Sequence, residues 1–170
     1  MVDHKVMVFS SACIDGINKQ INAEFTAFYA YQALYSHFNR HDVALPGIAA
    51  YFKKEANEEI GHANAFIAYT NKRGGNVCLQ DIKAPAIKNL TVLEAFEMSL
   101  ALETSIHKKI RDLHALAEQE NETHFASFLD AEFLSEQVEH EDELVRLITT
   151  IKHVGSGVGL YLFDRELPTK

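Results

Sequence analysis

The sequence predicts an all-α fold, a four-helix bundle with one long crossover loop and a short fifth helix at the C-terminal end. The three prolines, Pro46, Pro85 and Pro168, lie outside long periodic segments or at their starts, and most glycines cluster in "RGG" and "VGSGVG". Because helix-breaking residues are so rare within these segments, the sequence predicts long secondary-structure elements. Along four segments, apolar residues recur at steps of three and four, as on the buried face of a helix.

The first two helices are predicted over residues 10–38 and 46–72. The first carries an apolar stripe that includes Ile17 and Ile21. The second begins at Pro46, a favourable residue for the first turn of a helix. The segment "RGGNVCLQDIKAPAIKNL" follows and reads as extended. A connection of this length can carry the chain along the bundle to its far end, whereas the short links elsewhere make neighbouring helices antiparallel.

A capping box, "TVLE", opens the third helix, predicted over 92–121. The fourth helix is predicted over 124–153, and "VGLYLFDREL" predicts a short amphipathic helix over 157–167. No repeat or low-complexity segment interrupts this pattern. We therefore predict a single domain over residues 1–170, a length that is sufficient for one sizeable core.

Net charge, hydropathy and cysteine content limit the kinds of partner and location that the protein can have. The formal net charge of −8 argues against a nucleic-acid partner and suits cations, although solubility alone would explain it. No apolar stretch approaches the length of a membrane span. Cys13 and Cys78 make no disulfide framework, and the N-terminal segment lacks the features of a signal or transit peptide. We expect a cytoplasmic protein.

Ligand-type residues interrupt each of the four apolar stripes near mid-helix. They are Glu24 on the first stripe, Glu55, Glu59 and His62 on the second, Glu103 and His107 on the third, and Gln137 and His140 on the fourth. One such glutamate alone would read as a hydrogen-bonded core residue. Several buried carboxylates together would repel one another unless cations neutralised them. Oxygen ligands with one or two imidazoles suit iron or manganese, and one Glu from each of two helices with Glu-x-x-His is a carboxylate-bridged dimetal pattern.

At these residues the chain resembles a ferritin of the heavy-chain type. The motifs "NEEIGHA", "RGGNVCLQDI", "FLSEQV" and "YLFD" occur in ferritin order. The resemblance implies a ferroxidase centre in which Glu24, Glu59 and His62 bind the first iron and Glu59 bridges to the second. It implies Glu103 as a ligand of the second iron, Gln137 beside that iron, and Tyr31 packed against the centre.

What the family implies is oxidation of Fe(II) by O₂ and storage of ferric oxide inside a hollow shell of 24 subunits. The shell is expected to be a homo-oligomer that can also co-assemble with other ferritin subunits. Three glutamates leave a ferric pair with excess positive charge, which favours oxide or hydroxide bridges. A neutral Gln137 holds ferric iron less firmly than a fourth carboxylate would, as suits a product that leaves the site.

The chain departs from the family pattern at the positions expected to line the three-fold channel and the inner surface. The two successive acidic residues of the channel correspond to Ser127 and Asp130, so one acidic ring is missing unless another acid compensates. Inner-surface carboxylates are also fewer. Glu58 and Glu136 are kept, and we expect them to relay iron to the cavity.

His140 lies one turn after Gln137 in "QVEH", an imperfect echo of "EIGH". The sequence allows two positions for the His140 side chain. Either the imidazole reaches the second iron, or it turns towards the cavity or a neighbour such as Glu136. Glu55 has two readings as well, a hydrogen-bond partner of a ligand or a residue of a partly exposed helix face.

Two other functions compete with the ferroxidase. One is a purely structural subunit, which would have lost the centre, whereas all six positions are kept here. The other is a different dimetal enzyme on the same bundle, a peroxidase or oxygenase, to which "QVEH" gives a little support.

Overall fold

The computed structural model describes residues 9–167, which form helices and loops without a β-strand in that range. The helices are α1 (Ser11–Phe38), α2 (Pro46–Lys72), α3 (Val92–Gln119), α4 (Thr123–Leu129), α5 (Ser135–Val154) and α6 (Val158–Glu166). A π-helical turn, Asp130–Leu134, joins α4 to α5. The predicted all-α class with a four-helix bundle and a short C-terminal helix is confirmed. The ends of the predicted domain, residues 1–8 and 168–170, lie outside the described residues.

The fourth long helix differs from the sequence prediction of one regular helix over 124–153. The backbone stays helical through Leu129, Asp130 and Ser135, so α4, the π-helical turn and α5 form one continuous rod. The apolar stripe carries the signal for this turn. The other stripes alternate steps of three and four, whereas Leu129, Phe133 and Gln137 follow one another by two steps of four. Successive steps of four match the wider turn of a π-helix.

The crossover loop between α2 and α3 runs along α1. Asn18 holds its beginning, donating to the Asn76 carbonyl oxygen at 3.0 Å and accepting from the Cys78 amide at 2.8 Å. At the other end of α1, a ring nitrogen of His37 lies 3.1 Å from the Leu90 carbonyl oxygen. The loop therefore carries the chain most of the length of α1, as its length predicts. No helix in the described part of the chain is both long and apolar enough to cross a membrane.

Helix α6 is fastened to the start of α2 by a buried aspartate. Asp164 Oδ1 accepts from the Ile48 backbone amide at 2.8 Å, so a negative charge lies at a helix N-terminus, where it is stabilising. Gly47 makes this approach possible, because a Cβ there would lie 1.8 Å from the Asp164 carbonyl oxygen.

Two apolar clusters fill the bundle, and a layer of polar side chains separates them. The α6-side cluster includes Leu34, Phe38, Phe52, Phe96 and Phe163. The π-turn-side cluster includes Ile17, Phe66, Ile110, Phe125 and Phe133. Between the two clusters every long helix contributes buried residues with polar side chains, and these form the candidate site.

Candidate metal centre

The polar layer draws one or more side chains from each long helix. Its fully or almost fully buried members are Glu24 and Tyr31 from α1, Glu59 from α2, Glu103 from α3 and Gln137 from α5. His62 lies one turn after Glu59 and is partly buried. The helical spacing of the sequence thus directs five of these six side chains into the interior, where an unpaired charge is costly.

Three members of the layer form a compact group. One ligand atom from each of Glu24, Glu59 and His62 lies within 4.8 Å of the others. Gln20 Nε2 donates to Glu24 Oε1 at 2.6 Å, which orients that carboxylate. Within residues 9–167, Glu24 Oε2 and Glu59 Oε2 are buried without a hydrogen-bond partner. Since buried polar atoms are normally paired, these two oxygens are available to a cation.

Glu103 is held by partners from two other helices. The Tyr31 hydroxyl donates to Glu103 Oε1 at 2.5 Å, and Gln137 Nε2 donates to Glu103 Oε2 at 3.1 Å. Gln137 Oε1 is buried and has no partner among the described residues. Tyr31 and Gln137 therefore fix the direction of the third carboxylate, and the amide leaves one oxygen free beside it.

The electrostatics of the layer couple the three carboxylates through Glu59. Burial, followed by the charge of Glu59, raises the pKa of Glu24 well above its usual range. Burial, followed by the charge of Glu103, does the same to the pKa of Glu59. Burial also raises the pKa of Glu103, and the hydrogen bond from Tyr31 opposes that rise. Protonation would therefore neutralise these carboxylates in metal-free protein, and a bound cation would displace the protons.

A second group of ligand-type side chains lies next to the first. Glu55 and Glu58 of α2 and His140 of α5 each offer one atom within 4.8 Å of the others. His140 Nε2 lies 3.7 Å from Glu136 Oε1 and 3.9 Å from Glu58 Oε2. The imidazole therefore lies next to Glu58 and Glu136, and its role as a ligand of the second iron stays a prediction.

Comparison with known proteins identifies the family of this bundle. The family model for the ferritin-like domain matches residues 14–154. The chain belongs to the ferritin family. A soma ferritin of Lymnaea stagnalis is 47% identical over 152 residues, covering 89% of this chain and 87% of the relative. The ferritin heavy chain of Echinococcus granulosus is 41% identical over 159 residues, covering 93% and 92%.

The ferritin, middle subunit, of Aquarana catesbeiana is 40% identical over 170 residues, covering 98% of this chain and 97% of the relative. These matches support a ferritin of the heavy-chain type.

Two other candidate residues of this ferritin lie apart from the polar layer. Asp130, in the π-helical turn, is exposed, and its Oδ2 lies 3.2 Å from His114 Nε2. It shares a surface hollow with Ser127. His107 Nδ1 lies 3.0 Å from Glu141 Oε1 and takes no part in either ligand group. The prediction for Asp130 concerns a channel between subunits, and within one subunit the residue simply lies on the surface.

The sequence left two interpretations open for Glu55, a hydrogen-bond partner of a ligand or a residue of a partly exposed helix face. The structure buries it beside Glu58 and His140 rather than on an exposed helix face. The signal was present, because Glu55 stands on the inward stripe between Phe52 and Glu59. What the stripe does not reveal is the direction in which a long carboxylate side chain extends.

Proposed function

We propose that this ferritin is a ferroxidase that oxidises Fe(II) with O₂ and stores the ferric product inside a 24-subunit shell. The observation that carries the proposal is the buried layer of three carboxylates from three helices, whose free oxygens at Glu24 and Glu59 have no partner in residues 9–167. Buried carboxylates this close together destabilise the fold unless cations compensate their charge.

The roles follow from the contacts. Glu24, Glu59 and His62 offer the first iron a compact ligand group. Glu59 interacts with the carboxylates on both sides, which suits it to bridge two ions. Glu103, oriented by Tyr31 and with Gln137 beside it, is proposed to bind the second iron.

The reaction balances with O₂ as the oxidant. Two Fe(II) ions give up one electron each, and O₂ takes both electrons with two protons to become hydrogen peroxide. Hydrolysis of the two Fe(III) ions to ferric oxyhydroxide consumes four waters and releases six protons, so four protons are released overall. The carboxyl groups release further protons when iron first binds, because their pKa values are raised in the empty layer.

The shell is proposed to form from copies of this chain, alone or with other ferritin subunits. Exposed apolar side chains on α6 support an assembly, since Val158, Tyr161 and Leu162 are all at least half exposed in the single subunit. We also propose a cytoplasmic location, which the free thiols of Cys13 and Cys78 support.

Anaerobic titration with Fe(II) followed by O₂ tests the proposal, together with a mass measurement of the assembly. A storage ferroxidase oxidises iron rapidly and takes up hundreds of ions per particle. A different dimetal enzyme saturates near two ions per chain, and a structural subunit shows no fast oxidation. Either of these two outcomes contradicts the proposal.

A further inference from the structure

Gln20 is a buried amide that contacts the first ligand group from one side. It lies on α1, one turn before Glu24, and is 2% exposed. Its Nε2 donates to Glu24 Oε1 at 2.6 Å, whereas Glu24 Oε2 has no hydrogen-bond partner in residues 9–167. The two oxygens of this carboxylate therefore differ, because the amide holds one of them and leaves the other free.

The contact forms within a single helix. Gly16, Gln20 and Glu24 follow one another by steps of four and so form one row along α1. A Cβ at Gly16 would lie 2.6 Å from Leu113 Cδ1, so α3 packs directly on the backbone of α1 at the start of this row. A hydrogen bond between side chains four residues apart needs neither an ion nor another helix. The direction of the Glu24 carboxylate is therefore set before an ion arrives.

Gln20 also borders a surface hollow. The hollow lies between α1 and α3, has a volume of about 330 Å³, and its lining includes Lys19, Lys109 and Asp112. An amide at this position could turn its polar end towards the hollow. The Gln20 amide is instead directed inward, onto Glu24. Because a buried amide is costly unless it is paired, this direction indicates that the contact with Glu24 is favourable.

A neutral donor suits a carboxylate that is to bind a cation. The amide occupies one acceptor position on Glu24 Oε1 and brings no positive charge, whereas a lysine or arginine would compete with the ion for Glu24. Glu103 has a different arrangement, since its two oxygens accept from Tyr31 and Gln137. Among these two carboxylates, Glu24 is thus the one that keeps an entire oxygen for the ion.

We propose that Gln20 is a positioning residue that makes Glu24 bind the first metal ion through Oε2 alone. Gln20 touches neither the ion nor O₂ and acts only through the carboxylate. The inference rests on the proposed metal centre and gives a physical cause for the geometry of one of its ligands. Partners that orient a metal ligand from outside typically contribute about 10–100-fold to metal affinity.

Anaerobic titration with Co(II), whose visible absorption reports its coordination, tests this role. Gln20→Met keeps the length of the side chain and removes the donor. The variant should bind the first Co(II) about 10–100-fold more weakly, because the carboxylate loses its fixed direction. Its first-site absorption should also fall, since Glu24 can then offer both oxygens, and Co(II) with a higher coordination number absorbs visible light more weakly.

Two controls separate positioning from general effects of the substitution. Gln32→Met makes the same change on the same helix, at a glutamine that accepts from Lys53 at 2.9 Å outside the polar layer, and it should bind Co(II) as the wild type does. In a Glu24→Gln background, Gln20→Met should weaken binding no further, because its effect passes through the carboxylate. Circular dichroism and particle mass establish that each variant folds and assembles.

A purely structural pair would give a different result. If Gln20 only stabilises α1, Gln20→Met should lower the melting temperature and leave the Co(II) spectrum and affinity unchanged, which would overturn the proposal. Loss of affinity that persists in the Glu24→Gln background would overturn it as well.

Crystals soaked in Zn(II), which is redox-inert, give an independent readout. One oxygen of Glu24 should lie within about 2.0–2.2 Å of the ion in the wild type, and both oxygens should approach it in Gln20→Met. Two oxygens of Glu24 bound in the wild type would contradict this inference alone. A wild type that binds no ion in the layer would contradict the metal centre and this inference together. Slow Fe(II) oxidation with the ion bound as described would contradict only the ferroxidase proposal.

Discussion

The polar layer and the α6-side cluster lie in the same bundle and are about equally buried, yet burial has opposite effects on their contributions to stability. In the cluster, Phe52 stacks with Phe38 at a centroid distance of 5.6 Å and packs against Phe96 at 5.1 Å, and burial of these rings stabilises the fold. In the layer, burial holds Glu24 and Glu59 against their preference for water. The cluster therefore supplies stability, and the layer uses part of it to keep ligands in place.

The strongest test of this difference removes a ligand from the layer. Glu24→Ala or His62→Ala should reduce fast Fe(II) oxidation to the uncatalysed background while the shell still assembles, since both residues are interior to one subunit. Stopped-flow absorbance after mixing with O₂ measures the rate, and His107→Ala serves as the control. Oxidation at the wild-type rate in either ligand variant would refute the site.

The converse test removes packing from the cluster. Phe52→Ala should lower the free energy of unfolding by about 3–5 kcal/mol, the usual cost of a large cavity, while rapid oxidation persists below the melting temperature. Chemical denaturation measures the change. Leu79→Ala, at a side chain that is 70% exposed, should change stability by less than about 0.5 kcal/mol. Equal effects at the two positions would mean that the cluster does not stabilise the bundle.

A third test sharpens the comparison through pH. Because the pKa of Glu24 is raised in the folded protein, the iron-free chain should keep a proton there that the unfolded chain releases above a pH of about 4.3. Stability should therefore fall as the pH rises from there towards the raised pKa. Glu24→Gln removes the contribution of Glu24 to this dependence, while Glu59 and Glu103 keep theirs. The variant should therefore raise the free energy of unfolding by about 1–3 kcal/mol at neutral pH and change it little near pH 4.

Thermal or chemical melts of metal-free protein across this pH range measure the slope. Glu139→Gln, at an exposed position on α5, is the control and should leave the profile unchanged. A variant at position 24 that is less stable than the wild type at neutral pH would show that the carboxylate is not destabilising in the empty layer.

The smallest effect is expected for a carboxylate outside the core. Ser127→Asp places a charge on the exposed surface beside Asp130, so it should cost less than about 0.5 kcal/mol of stability. In an assembled shell it should speed oxidation a few-fold when iron is limiting, because a second acidic ring strengthens the field at the proposed channel. Unchanged or slower uptake would mean that iron enters elsewhere.

The helical stripes predicted most of this molecule because burial and periodicity are linked. A residue at steps of three and four on an apolar stripe is directed inward by the helix, whatever its chemistry, so Glu24, Glu59, Glu103 and Gln137 could be located before the structure. His107 lies on the same stripe as Glu103 but is only partly buried and pairs with Glu141. The crossover was predictable from its length, and the start of α3 from the capping box at Thr91 and Glu94, which is observed.

Side-chain direction and long-range docking could not be predicted in the same way. A histidine at position 140 could adopt several rotamers while it stays on the inward stripe. Its position beside Glu58 depends on how α2 packs against α5, which the stripe does not show. The contact of Asp164 with Ile48 joins residues 116 positions apart, beyond the reach of local periodicity. The π-helical turn left a trace in the spacing, but two successive steps of four also occur in regular helices.

The π-helical turn has a geometric consequence for the rod that contains it. An α-helix rotates by about 100° per residue, and a π-helical turn accommodates one residue more than an α-helical turn. Phe125 and Leu129 are thereby kept in phase with Gln137, so both halves of the rod face the same interior. A one-residue deletion in Asp130–Leu134 would close the turn into regular helix and rotate one half against the other. Either the apolar contacts of the first half or the inward direction of Gln137 would then be lost. The extra residue therefore keeps the buried faces of α4 and α5 aligned with each other.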